Sequence, residues 1–314
     1  VPIKPVFPAQ GFRPPQPQTN KLTAQKKNSK GWIYLLFVIA VIGIIIFDIF
    51  AADNKTNSDP VSSVSPIANP TFPSNKQPPA PEWLPKATWD DLDNESGFPP
   101  ELTDLPIYHA NFPVANCPKP TIFVSNDQFV NYFEKLEKCL RDAWQPYFEA
   151  MGTDLPPAEV QYYEDEVTSP CGAHDSSFPA FYCSANNKIY VSEDLYRYAQ
   201  KYPTYAPETA IHEHFHHVQW RLGIFRQAYK QGIDKMEISR RVELQTICSS
   251  SRLMLNTNIG FTAEDYEKTL ENLNYKGEKF HGSTKSQTYW GTRGFYMNTL
   301  QGCNTWLVSP EKVE

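Results

Sequence analysis

No aspartate or glutamate occurs in the first 30 residues of this 314-residue chain, and no basic surplus follows. The opening stretch carries Lys4, Arg13, Lys21, Lys26, Lys27 and Lys30. The whole chain has a formal charge of −6, so residues 31–314 carry −12 against the +6 of the tail. An acidic body argues against nucleic acid as a partner, whereas a short basic tail suits a membrane topology signal. No internal repeat is present, so the chain is not an array of small units. No cysteine precedes Cys117. Only one long apolar run exists, and it stands directly after the basic tail.

That run is Trp32–Phe47, in which every residue is apolar, aromatic or glycine; Asp48 interrupts it and Ile49–Ala52 extend it. A spanning helix needs about 20 such residues. Nothing in the run is amphipathic, so a buried soluble helix does not fit. Trp32 and Tyr34 stand where an interfacial aromatic belt would lie, behind the lysines. The expectation is a single-pass anchor over residues 31–52, uncleaved, with a cytoplasmic N-terminus and an extracellular remainder at the cell membrane. Cleavage near Phe50–Asp53 is the rival, but the apolar run is longer than a signal core. All six cysteines then lie outside, where an even number implies three disulfides whose pairing spacing alone leaves open.

Residues 1–30, rich in Pro, Gln and Lys, are expected to be a disordered cytoplasmic tail. Residues 53–104 hold ten prolines between Pro60 and Pro100 and are expected to form a Pro-rich extracellular linker, with Trp83, Leu84 and Trp89 as docking points. The globular domain is then 105–314, long enough for one sizeable core. Ser125 and Gln128 form a capping box before a helix whose core face is Phe129, Tyr132, Phe133, Leu136, Leu140 and Trp144. "VQYYEDEV" reads as one strand, and "AFYCSANNKIYV" as a hairpin turning at "SANN". "TAIHEHFHHVQWRL", "EISRRVELQTICSSSRLML", "FTAEDYEKTLENL" and "TKSQTYWGTRGFYMNTL" read as helices. The fold class is α+β, helix-rich, with a small and mostly antiparallel sheet.

Four of the seven histidines fall between His212 and His217. Their register contains H-E-x-x-H: His212, Glu213, His214, Phe215, His216. A four-residue step stacks two imidazoles on one helical face, close enough for both to bind one Zn²⁺. Glu213, one step round, can reach a metal-activated water as general base without being a ligand. His214 and His217 point away from that face. A third ligand is needed; His109, His174, His281, Glu243 and other carboxylates are candidates, and spacing does not choose among them.

Several motifs together resemble the bacterial neutral zinc metallopeptidases, which often carry an N-terminal membrane segment. They are "FYCSANNKIYV" (Phe181–Val191), "HEHFHHVQ" (His212–Gln219), "RRVELQTIC" (Arg240–Cys248), "HGSTKSQTYWGTRGF" (His281–Phe295) and "CNTW" (Cys303–Trp306). The resemblance implies a zincin-like, gluzincin-type domain with His212, His216 and Glu243 as zinc ligands and Glu213 as catalytic base. His281 is a candidate oxyanion donor. It also implies the disulfides Cys171–Cys183 and Cys248–Cys303, leaving Cys117–Cys139. The expected partner is a peptide or protein substrate, with "KIYVS" as the strand edge that holds it. The chain departs at Ile247, where many relatives have an aspartate able to orient a ligand histidine; another group must then do this. The last motif also departs, with Lys285, Ser286 and Tyr289 at places where relatives often carry other charged residues, and a catalytically inactive zinc-binding module at the cell surface is the alternative that the two departures raise.

Overall fold

The computed structural model describes residues 69–273 and 278–314. The expected tail, membrane segment and first part of the linker lie outside the described residues. Among those described, no helix is long and apolar enough to cross a membrane.

After a single turn, α1 (Pro100–Thr103), the domain begins with α2 (Asn126–Ala150). Ser125 caps α2 by accepting from the Gln128 amide, and its buried face is the set of aromatic and leucine positions read from the periodicity. Five strands follow: β1 (Glu159–Tyr163), β2 (Glu166–Ser169), β3 (Gly172–Asp175), β4 (Ala180–Cys183) and β5 (Lys188–Ser192). Then come α3 (Glu193–Lys201), α4 (Tyr205–Arg221), α5 (Ile224–Lys230), α6 (Lys235–Asn256), α7 (Ala263–Leu273), α8 (Glu278–His281) and α9 (Thr284–Gly294). The α+β, helix-rich character is as expected.

The sheets differ from the expectation in two respects. "VQYYEDEV" is not one strand: it breaks at Glu164 and Asp165 into β1, parallel to β5, and β2, which pairs antiparallel with β3. Two adjacent carboxylates favour a solvated turn over a continuous ladder. Second, "KIYVS" is not an edge. It is β5, the central strand of the order β1-β5-β4, and β1 and β4 are the outer strands. The β4–β5 hairpin turns over residues 184–187, with Asn187 at φ 54°, a left-handed position that asparagine tolerates. The last helix also ends early, at Gly294, before a 3-10 turn at Leu300–Cys303.

Helix α6 lies at the centre. From Arg241 to Asn256 only Glu243 and Leu255 are not fully buried. Several of its polar residues find partners within the protein. Arg241 binds Glu237 and the carbonyls of Thr305 and Val308, while Thr305 donates back to the Arg241 carbonyl. Against α6 packs α9, where Gly294 is obligatory: a Cβ there would stand 1.9 Å from the Cys248 carbonyl oxygen.

The described part of the expected linker is fastened to the domain. Phe72 stacks on Tyr147, Trp83 packs on Phe261 and Tyr266, and Trp89 sits between Tyr289 and Arg293. Gln77 Oε1 accepts from Arg252 and Asn256. Proline-rich composition signals an extended path, and here that path follows the domain surface. Three disulfides are present: Cys117–Cys139, Cys171–Cys183 and Cys248–Cys303, with Cα–Cα distances of 5.6, 5.7 and 5.5 Å.

Candidate metal centre

Helix α4 carries His212, Glu213 and His216. Pro207 and Glu208 occupy its first turn, where a missing amide costs nothing and a carboxylate suits the dipole. Gly223, at φ 72°, lets the chain break sharply into α5. Ile211, Phe215 and Val218 are buried in the core, which fixes the rotation of the helix. Glu243 comes from α6, capped by Asp234, whose carboxylate accepts from the Met236 and Glu237 amides.

The two helices bring three donors together. His212 Nε2 and His216 Nε2 are 3.1 Å apart. Glu243 Oε2 is 3.3 Å from His212 Nε2, and Oε1 is 3.5 Å from His216 Nε2. Donors bound tetrahedrally to one zinc at about 2.0–2.1 Å lie about 3.3 Å from one another, so this triangle fits such an ion. Glu243 Oε2 is buried without a well-aligned donor, the behaviour of an atom placed for a cation. Burial works against charge on His216, but the Glu243 carboxylate outweighs it and raises the imidazole pKa to about 9. Burial likewise opposes charge on Glu243, yet His216, His281 and His212 hold its carboxyl well below the usual range. These are the mutual shifts of a group that collects positive charge.

The back of His216 is held by residues that the periodicity did not single out. His216 Nδ1 lies 3.0 Å from Gln219 Oε1 and 3.3 Å from Thr246 Oγ1. Gln219 is fully buried and donates to the Val242 carbonyl and to Gln245 Oε1, while Thr246 donates to Gln219 Oε1. An acceptor at Nδ1 fixes the tautomer that leaves Nε2 free for a metal. Gln219 stands three residues after His216, a helical spacing visible in the sequence; Thr246 was not visible without the α4–α6 contact. Ile247 lines a small cavity of about 20 Å³ beside His212, Glu208 and Ser250.

His214 and His217 are not part of the triangle, and both are fully buried. His217 donates from Nε2 to the Pro156 carbonyl and accepts the Tyr182 hydroxyl at Nδ1, each at 2.8 Å. Burial lowers its pKa to about 4, so it is neutral. Burial holds His214 well below its ordinary value too. His109 sits away from the site, bonded to Asp104. His281 Nε2 is 3.6 Å from Glu243 Oε2.

All three donors open, with Glu213 and His281, onto one cavity of about 320 Å³. Residues 124–279 match the family model described as "Putative neutral zinc metallopeptidase". This match agrees with the resemblance read from the motifs. The family match covers the H-E-x-x-H helix, Glu243 and the hairpin, and stops before His281 and Cys303. The chain is also 26% identical over 220 residues to "Uncharacterized protein YpfJ" of Escherichia coli strain K12, covering 59% of this chain and 74% of the relative. The same figures hold for the protein of that name from Escherichia coli O6:H1. No solved structure gives a significant match.

Proposed function

We propose that the domain is a zinc-dependent peptidase of the H-E-x-x-H type with a zincin-like active site. The observation that carries this reading is the triangle of His212, His216 and Glu243 opening with Glu213 onto one cavity. Zinc, when bound there, supplies Lewis-acid activation of water and of the peptide carbonyl. Glu213 accepts the proton of the attacking water and delivers it to the departing amine as the C–N bond breaks. His281, which lines the same cavity, would donate to the developing oxyanion. Gln219 keeps His216 in the ligating tautomer. The outer strand β4, whose Ala180, Phe181 and Tyr182 line the cavity, offers main-chain groups to an extended substrate peptide.

The inactive-module alternative rests on Ile247, which lies beside His212, and on the altered last motif; Gln219 supplies an orienting acceptor for His216 alone. The basic tail followed by Trp32–Phe47 supports a cell-membrane anchor with the domain outside, and three disulfides suit that compartment.

The test is metal analysis together with Glu213→Gln. The variant should hold one zinc per chain and lose peptide cleavage. Wild type that holds zinc but cleaves nothing in a broad peptide library sinks the peptidase reading; protein without stoichiometric zinc sinks the metal centre.

A further inference from the structure

The cavity beside the metal triangle is walled by aromatic and branched side chains. Phe178, Phe181, Trp220, Phe225, Ile238 and Phe280 contribute to it from the β3–β4 loop, β4, α4, α5, α6 and α8. Trp220, Phe225 and Phe280 are only partly buried, so their faces are available rather than consumed by the core. The described lining residues include no Lys or Arg, and the carboxylates among them are Glu213 and Glu243. One wall is held rigidly. Phe181 stacks on Tyr190 at 4.6 Å with the rings 6° from parallel, and His174 lies 4.0 Å from Phe181 on its own strand. The Cys171–Cys183 disulfide ties the turn before β3 to β4, which carries Phe181.

We propose that this cavity is a specificity pocket for one large uncharged apolar side chain, aromatic or long aliphatic, on one side of the bond to be cleaved. The inference rests on the peptidase reading for the word cleaved, but not for the pocket. The volume of about 320 Å³ is at the small end of ligand sites, suited to one bulky side chain with its main chain. Continuity with Glu213 and the triangle places the occupant next to the reacting bond. A charged side chain would lose its hydration there without gaining an opposite charge among the described residues, apart from the two carboxylates already engaged. Transfer of a phenylalanine or leucine side chain from water into such a pocket favours binding by about 10- to 150-fold over glycine.

Two measurements on the full chain test this. The first digests a random peptide library with the zinc-loaded protein and reads residue frequencies around each cut. The expected result is enrichment of Phe, Leu, Met, Trp or Tyr at one flanking position by at least about tenfold over Gly and Asp. The second uses the zinc-loaded Glu213→Gln protein and calorimetric binding of blocked dipeptides differing only in one residue. The Phe peptide should bind at least about tenfold more tightly than the Gly peptide. Ser239→Phe, which adds bulk at the lining, should reverse that order while zinc content is unchanged. Cleavage with a flat flanking profile, or equal binding of Phe and Gly peptides, overturns the pocket and leaves the peptidase reading standing. Phe-selective binding without any cleavage overturns the peptidase and leaves the pocket.

Discussion

Glu137 projects from α2 into the space behind the metal-binding helix, with only 6% of its surface exposed. It accepts the Ala158 amide at 2.9 Å, and its Oε1 is 3.8 Å from His214 Nδ1. His214 is itself neutral and buried, so it offers Glu137 no compensating charge. Burial raises the Glu137 carboxyl from 4.5 to about 7, against a smaller opposing effect of the Ala158 bond. Between pH 4.5 and 7 the folded protein then holds more protons at this group than the unfolded chain does. Stability therefore falls as pH rises through that window and levels off above it. At 1.36 kcal/mol per factor of ten, the full effect is ~3 kcal/mol. Glu137→Gln keeps an acceptor for Ala158 and removes the ionisation. Other groups also titrate, so the quantity to read is the stability difference between variant and wild type, from urea unfolding with disulfides intact. The difference should be near zero at pH 4.5 and should favour the variant increasingly up to pH 8. A difference that is constant with pH, or that shrinks as pH rises, refutes the assignment of a buried, nearly uncompensated carboxyl.

Gln219→Leu should weaken zinc binding about 10- to 100-fold in chelator competition, because His216 loses the acceptor at Nδ1; unchanged affinity would show that the contact orients nothing. Gly294→Ala should prevent accumulation of folded protein or lower its melting temperature sharply, since the Cβ meets the Cys248 carbonyl oxygen at 1.9 Å and two central helices must separate. The paired replacement of Cys248 and Cys303 by serine should cost about 2–4 kcal/mol in denaturant unfolding, and reduction of wild type, which opens all three disulfides, should cost more. Removing metal with a chelator should lower the melting temperature, and adding zinc back should restore it, if the triangle binds the folded state alone.

The residues legible in the sequence were those whose relation is local. His212 and His216 face one way because a helix repeats every 3.6 residues, and Glu213 stands beside them for the same reason. The cap at Ser125 was readable from spacing. The longer helices of the domain were legible from caps and apolar periodicity, whereas α3 and α5 were not read, and α6 is buried on nearly all sides and carries many polar residues. Its arginines, Gln245 and Asn256 are tolerated there because distant segments supply their partners, which no local pattern reveals.

Glu243 illustrates the boundary. Its own sequence context is that of an ordinary helical glutamate, and only the motif resemblance singled it out. Its place 3.3–3.5 Å from two imidazoles is a product of how α6 crosses α4. The same holds for Thr246 behind His216, for Glu137 behind His214 and for the aromatic cavity, whose walls come from segments far apart in the chain. The strand order was likewise beyond local reading: β5 became central because β1 pairs parallel to it across a connection of more than twenty residues. By itself the sequence determined the longer helices, the H-E-x-x-H face and the even set of cysteines, because these depend on spacing along the backbone. The tertiary structure decided the third donor, the orienting groups and the pocket, because each depends on contacts whose geometry exists only once the helices have packed.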